Sequence, residues 1–113
     1  MKARNILYIS PFCHLGGAEL SLLGLLAHLD RSRWQPQVIC YQQGPLVERI
    51  TALGMPVQVI ERKGWRSEMR IIAGIMRLVR DQHIALVHVN TLDIRAGLAS
   101  WLAQVPCIGD LRV

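Results

Sequence analysis

Ile6-Leu7-Tyr8-Ile9-Ser10-Pro11-Phe12-Cys13-His14-Leu15-Gly16-Gly17-Ala18-Glu19-Leu20 decides the fold. Its first four residues are apolar without alternation, as in a strand buried on both faces, the mark of a parallel sheet covered by helices. Ser10-Pro11 ends that run, and Gly16-Gly17 directly precedes a helix that is apolar at Ala18, Leu20, Leu22, Leu23, Leu25, Leu26, Ala27 and Leu29. Strand, tight turn and helix in this order form the opening of a βαβ crossover. The apolar stripe of the helix is wider than one sheet face requires, so a further surface is expected to cover it.

Outward from this unit the pattern repeats. Strands are expected at 5–10, 37–42, 57–60, 84–90 and 107–113, and helices at 18–29, 46–53, 68–83 and 94–102. Val38-Ile39-Cys40-Tyr41 is unalternating like the first strand, and Gly54-Met55-Pro56 and Val105-Pro106 close two of the helices. Regular alternation of strand and helix implies right-handed crossovers and a doubly wound parallel sheet, a Rossmann-like α/β fold of five strands with flanking helices. The chain has no internal repeat, linker or low-complexity stretch, so residues 1–113 form one domain. Its last residue, Val113, falls inside or just after the fifth strand with no helix following, which reads as the front part of a longer protein.

Composition excludes several classes. With 113 residues, 51% hydrophobic and 19% charged, the chain can bury about two-thirds of its unfolded surface and needs neither disulfides nor a structural metal. Cys13, Cys40 and Cys107 are odd in number and widely spaced, which fits no disulfide framework and points to a reducing, cytoplasmic compartment. No apolar stretch reaches the roughly 18 to 20 residues of a bilayer span, and the basic start at Lys2 and Arg4 is followed by no signal-peptide cleavage pattern. Between Arg62 and Arg80 lie six basic residues against one acid, Glu68, so this segment carries as much net charge as the whole chain, +5. Such concentration favours a local anionic partner over a nucleic-acid coat. One Phe and no helix-turn-helix or RNA-binding aromatic signature leave nucleic acid outside the expected partners.

Ligands of open parallel sheets sit beyond the carboxyl ends of the strands, where the strand order reverses. For an order 3-2-1-4-5 that point lies between the first and fourth strands, at the loops running from Pro11 to Gly17 and from Asn90 to Asp93. Gly16-Gly17 lets a ligand approach the backbone, and free N–H groups at the helix start favour an anion such as a diphosphate. Two glycines making only a tight turn fit the residues equally well. The loop lacks the Gly-Lys-Ser/Thr of a P-loop. The end of the second strand, Tyr41-Gln42-Gln43, lacks the acid of a dinucleotide site, and Ser10-Pro11-Phe12 lacks the paired acids of a receiver domain. Cys13, His14 and His88 are soft metal ligands in type, but their spacing matches no known site and no metal is expected. Glu19 stabilises the positive end of its helix and is also a candidate for ordering the loop or touching a substrate hydroxyl. Asn90 and Thr91 end a central strand at the cleft, as ligand-binding groups or as caps of the next helix.

On a helical wheel over 68–83, Arg70, Arg77, Arg80 and Asp81 share one face, with Met69, Ile71, Ile72, Ile75, Met76, Leu78 and Val79 on the other. Arg62, Lys63, Trp65 and Arg66 precede it, an indole among cations, which suits membrane headgroups or an anionic acceptor as well as a plain solvated face.

The order of landmarks resembles the N-terminal half-domain of group 1 (family 4) glycosyltransferases of the GT-B fold. The landmarks are Ile6-Leu7-Tyr8-Ile9, Gly16-Gly17-Ala18-Glu19 opening a Leu-rich helix, Gly44-Pro45-Leu46, Leu53-Gly54-Met55-Pro56-Val57 and Val87-His88-Val89-Asn90-Thr91. The resemblance implies transfer of a sugar from a nucleotide-diphosphate donor to a glycan or lipid acceptor, with retention of configuration and without a cofactor or metal. It implies that Gly16 and Gly17 approach the donor diphosphate. His14, Glu19, Asn90 and Thr91 then become acceptor-binding or loop-ordering candidates. Most of the donor site would lie in a C-terminal domain that this chain does not contain. Such enzymes often have a histidine or an acid just after the fifth strand; here Gly109 and Asp110 stand where a histidine is expected, so no catalytic residue is assigned. With Arg62, Lys63, Trp65, Arg66 and Arg70 as an anionic or membrane-facing surface, the expected location is cytoplasmic, peripheral at the inner face of the membrane. The alternative is a non-catalytic Rossmann-like ligand-binding or interaction module.

Overall fold

In the computed structural model, which describes residues 3–91 and 93–109, strands and helices alternate through the whole chain. The order is β1 (Arg4–Ser10), α1 (Gly17–Ala27), β2 (Trp34–Cys40), α2 (Pro45–Ala52), β3 (Val57–Val59), α3 (Gly64–Asp81), β4 (Ile84–Val89), α4 (Ile94–Leu102) and β5 (Cys107–Gly109). All strand pairs are parallel and the sheet runs β3-β2-β1-β4-β5. This is the Rossmann-like doubly wound α/β fold read from the sequence. The end of the fifth strand expected at 110–113, with Asp110, lies outside the described residues.

β1 is central, flanked by β2 and β4, with Tyr8 opposite both Val38 and His88. Its apolar residues go alternately to two cores. Ile6 and Tyr8 join Val38, Cys40, Leu22, Leu26, Leu46 and Ile50 under α1 and α2. Leu7 and Ile9 join Ile39, Val87, Val89, Ile71, Ile75 and Ala99 under α3 and α4. Each fully buried Leu or Ile contributes about 1.5 to 3 kcal/mol, so the unbroken apolar run of β1 is what joins the two layers.

Several local features differ from the expected pattern. β2 begins at Trp34 and includes Pro36, which is tolerated because β3 pairs with β2 only from Val38 onward and the strand has one neighbour there. α3 begins at Gly64 because buried Ser67 turns back on the helix start. Its hydroxyl accepts from the Lys63 amide at 2.9 Å and donates to the Gly64 carbonyl at 2.7 Å. Met69, expected on the apolar face of that helix, is 66% exposed. On α1, Glu19 is buried beside Leu22 and Leu26, while Leu20 and Leu25 of the broad stripe are exposed. Among the described residues, no helix is long and apolar enough to cross a membrane.

Candidate functional site at the switch point

The strand order reverses between β1 and β4, so the loops after these two strands flank one crevice at the carboxyl edge of the sheet. The β1–α1 loop is held from both ends. Ser10 Oγ donates to the Phe12 carbonyl at 2.7 Å, and the Gln42 side chain donates to the Pro11 carbonyl at 3.3 Å. The Leu46 amide donates to the Cys13 carbonyl at 3.0 Å. Gly44, which precedes α2, lies so close to the Cys13 carbonyl that a Cβ there would collide with backbone. Fully buried Cys13 and Cys40 lie under the loop. The Cys13 thiol donates to the Ser10 carbonyl, and the neighbouring Cys13 thiol together with burial pushes the Cys40 thiol well above its ordinary value.

Gly16 and Gly17 have different roles. Gly16 sits beneath a clamp: the Glu19 carboxylate accepts from the Gly16 amide at 3.1 Å and meets His14 Nε2 at 3.0 Å. A Cβ on Gly16 would stand 2.8 Å from both Glu19 Oε1 and His14 Nε2. Gly17, the first residue of α1, is exposed, and a Cβ there would meet nothing within 4 Å. The helix start therefore opens onto free space, with first-turn N–H groups that have no carbonyl a turn earlier and with the positive end of the helix dipole.

Glu19 is 3% exposed, whereas the His14 side chain is 67% exposed. A carboxylate only accepts, so His14 Nε2 is the donor in this contact. Asn90, buried at the end of β4, donates from its side-chain amide to the Ala18 carbonyl at 3.2 Å, and its own backbone amide donates to Ile9. It thereby ties the second loop to the first turn of α1. Thr91 follows with φ 130°, a conformation that a β-branched residue holds at a cost of about 1 to 3 kcal/mol. His14, Gly16, Gly17, Glu19, Asn90 and Thr91 are thus brought to one edge. His88 lies within β4, its ring 5.2 Å from that of Tyr8. Among the described residues no three His, Cys, Asp or Glu side chains converge as a metal site.

A partly buried polar cluster not expected from the sequence supports the β4–α4 loop from the other face. Asp93 caps α4, accepting from the Ala96 amide at 3.2 Å, and accepts the Tyr41 hydroxyl. Arg95 reaches Asp93 at 2.9 Å and Glu68 at 2.8 Å, with its guanidinium 5.5 Å from the centre of the Tyr41 ring. Burial, with Asp93 next to it, pushes the Tyr41 hydroxyl well above its ordinary value. Burial acts to lower the Arg95 pKa, but Glu68 and Asp93 outweigh it and hold the guanidinium above its usual value. Asp93 before an apolar helix was a readable cap signal; its partners were not.

The basic segment lies at the start of α3. Arg62, Lys63, Trp65, Arg66 and Arg70 are all exposed. Arg62 pairs with Glu68 at 3.5 Å and Lys63 with Glu61 at 3.1 Å.

An open parallel sheet of order 3-2-1-4-5 with a glycine turn at its switch point is the architecture of Rossmann-like domains that bind ligands at the strand ends. The family model described as "Glycosyl transferase 4-like domain" matches residues 16–112, and the chain belongs to that family. No curated protein sequence matches significantly. Among solved structures, HepE of Anabaena in complex with UDP is similar with a TM-score of 0.74 at 20% identity, over 91% of this chain and 28% of that one. A glycosyltransferase from Rickettsia africae aligns at TM-score 0.72 and 15% identity, over 95% of this chain and 29% of its own. MurG of Acinetobacter baumannii aligns at TM-score 0.70 and 15% identity, over 92% and 33%. The sheet is that of a GT-B N-terminal domain, and the chain spans about a third or less of the length of these three structures.

Proposed function

We propose that this chain is the N-terminal, acceptor-side part of a glycosyltransferase that moves a sugar from a nucleotide-diphosphate donor to a glycan or lipid acceptor with retention of configuration. The observation that carries the reading is the open space at Gly17. Unhindered first-turn N–H groups at the switch point suit the diphosphate of a leaving nucleotide, whose charge grows as the sugar departs. HepE, of similar fold, was captured with UDP and with UDP-glucose, which makes a uridine nucleotide sugar the first donor to try.

In this reading Glu19 acts by position. It fixes the Gly16 amide and the His14 ring, leaving the exposed face of His14 to hydrogen-bond a substrate hydroxyl. Asn90 ties the two loops together. The nucleotide sugar is substrate and no resident cofactor is needed. The free buried thiols of Cys13 and Cys40 suit a reducing, cytoplasmic setting.

Titration of the isotopically labelled chain with UDP, UDP-glucose and a panel of other nucleotide sugars tests the reading. Amide shifts centred on Gly16, Gly17, Ala18 and Glu19 are expected. Shifts confined to another surface, or none at millimolar ligand, would favour a non-catalytic module. The anomeric configuration of the product formed by the whole enzyme tests retention.

A further inference from the structure

We infer that Cys13 and Cys40 form a redox-active dithiol, which a peroxide closes to an intramolecular disulfide and which thereby changes how the switch-point loop is held. Both thiols are free, and both side chains are fully buried in the core under α1 and α2. Their meeting point is Ser10. Cys40 stands opposite Ser10 in the β1–β2 register, and the Cys13 thiol turns back to donate to the Ser10 carbonyl at 3.8 Å. Cys40 shares the face of β2 that Val38 presents to that core, so the loop lays the Cys13 sulfur at the end of β2 with the Cys40 sulfur as its neighbour.

The two sulfurs are not equivalent. Cys13 lies just ahead of α1, and its carbonyl accepts the first-turn Leu46 amide of α2 at 3.0 Å, so two positive helix ends favour its thiolate. Cys40, buried with the Cys13 thiol beside it, is held well above its ordinary pKa and keeps its proton. Cys13 is therefore the sulfur that attacks. Its thiolate takes one peroxide oxygen as the O–O bond breaks, giving a sulfenic acid, and the other oxygen leaves as water with the proton that Cys13 gave up. The Cys40 sulfur then bonds to the Cys13 sulfur, the S–O bond breaks, and a second water carries off the Cys40 proton. Two thiols are oxidised, one peroxide is reduced, and a small dithiol reverses the change. The packing of Cys13 decides what the bond moves. Gly44 lies hard against its carbonyl, which also holds the Leu46 amide, so drawing the sulfur onto Cys40 disturbs the start of α2 and, along the loop, the Gly16-Gly17 turn.

The test uses the Cys107→Ser chain, which lacks the exposed thiol that could link two copies. The folded chain is treated with hydrogen peroxide, then denatured and exposed to a maleimide. Mass spectrometry should show the loss of two hydrogens, no maleimide adduct, and a peptide joining Cys13 to Cys40. Dithiothreitol should restore both thiols to the maleimide. In the oxidised chain the Leu46 amide should lose protection against hydrogen exchange and the Gly16 and Gly17 amide resonances should shift, while circular dichroism stays that of the reduced chain. In Cys40→Ala, peroxide should leave Cys13 as a sulfenic acid that dimedone captures. None of these readouts depends on sugar transfer. Two maleimide adducts after peroxide overturn the inference, as does oxygen added to either sulfur with no peptide joining them. A disulfide that forms only after denaturation also overturns it, and so does one that leaves Leu46, Gly16 and Gly17 unchanged.

Discussion

Glu19 reaches back across the turn made by Gly16 and closes its carboxylate on His14 Nε2 at 3.0 Å. The same oxygen accepts from the Gly16 amide, so one buried acid both orders the loop and caps the helix. Glu19→Ala removes the acceptor and the charge at the positive helix end, and should destabilise the chain by about 1 to 2 kcal/mol. Thermal or urea unfolding measures this. The Gly16 amide should also exchange with solvent faster in the variant, and unchanged protection there would contradict the clamp.

The two adjacent glycines should respond in opposite ways. Gly16→Ala forces its new methyl against Glu19 and His14, so it should lower stability and displace the His14 ring. Gly17→Val places its Cβ in open space, so the fold should hold within about 1 kcal/mol. On the proposed reading, the same Val in the complete enzyme should abolish transfer by filling the space a diphosphate would take. Full activity in Gly17→Val would reduce that glycine to a plain turn residue.

Sugar transfer by the isolated chain should be undetectable. On the proposed reading, positioning the donor and stabilising the departing diphosphate need groups on both sides of a cleft, of which this chain would supply one. A radiolabelled-donor assay with membrane and glycan acceptors measures it. Any turnover above the buffer control would refute the division of labour.

The cluster behind the β4–α4 loop should behave as one unit. Asp93→Ala strips Tyr41 and Arg95 of a shared acceptor and should cost about 3 kcal/mol, the low end for a broken buried pair because Glu68 still holds Arg95. Tyr41→Phe loses one hydrogen bond, about 1 kcal/mol. The folded Tyr41 pKa is raised above its ordinary 10.0, so the folded state holds the proton longer than the unfolded chain. Its stabilising contribution is therefore complete below about pH 10 and declines above it. Tyr8, also raised by burial, adds to that decline. Alkaline unfolding of Tyr41→Phe should be shallower than that of the parent.

What the sequence made legible and what it hid follow from the range of the interactions. The strands were readable because Ile6 to Ile9 and Val38 to Tyr41 are contiguous and a doubly covered sheet demands unbroken apolar runs. The glycine turn was readable because Gly16, Gly17 and Glu19 lie within one turn of helix. The Tyr41–Asp93 and Glu68–Arg95 contacts join residues 52 and 27 positions apart, and no spacing rule reaches that far. Met69 was placed on the buried face because it adjoins Ile72 and Met76 on the wheel. Only the packing of α4 decides how wide the covered arc is, and it leaves Met69 outside. The α3 start was hidden for a similar reason: Ser67 closes the first turn from inside the helix, where a cap signal ahead of Lys63 would ordinarily be sought.

The contact of Gly44 with the Cys13 carbonyl bears on how this domain can be re-engineered. The β1–α1 and β2–α2 loops are not independent modules, since the backbone of one occupies the place a side chain would need in the other. Grafting a ligand loop from a relative between Ser10 and Gly17 should succeed only when the residues around position 44 travel with it. A library that varies both loops together should yield folded proteins far more often than one that varies either alone.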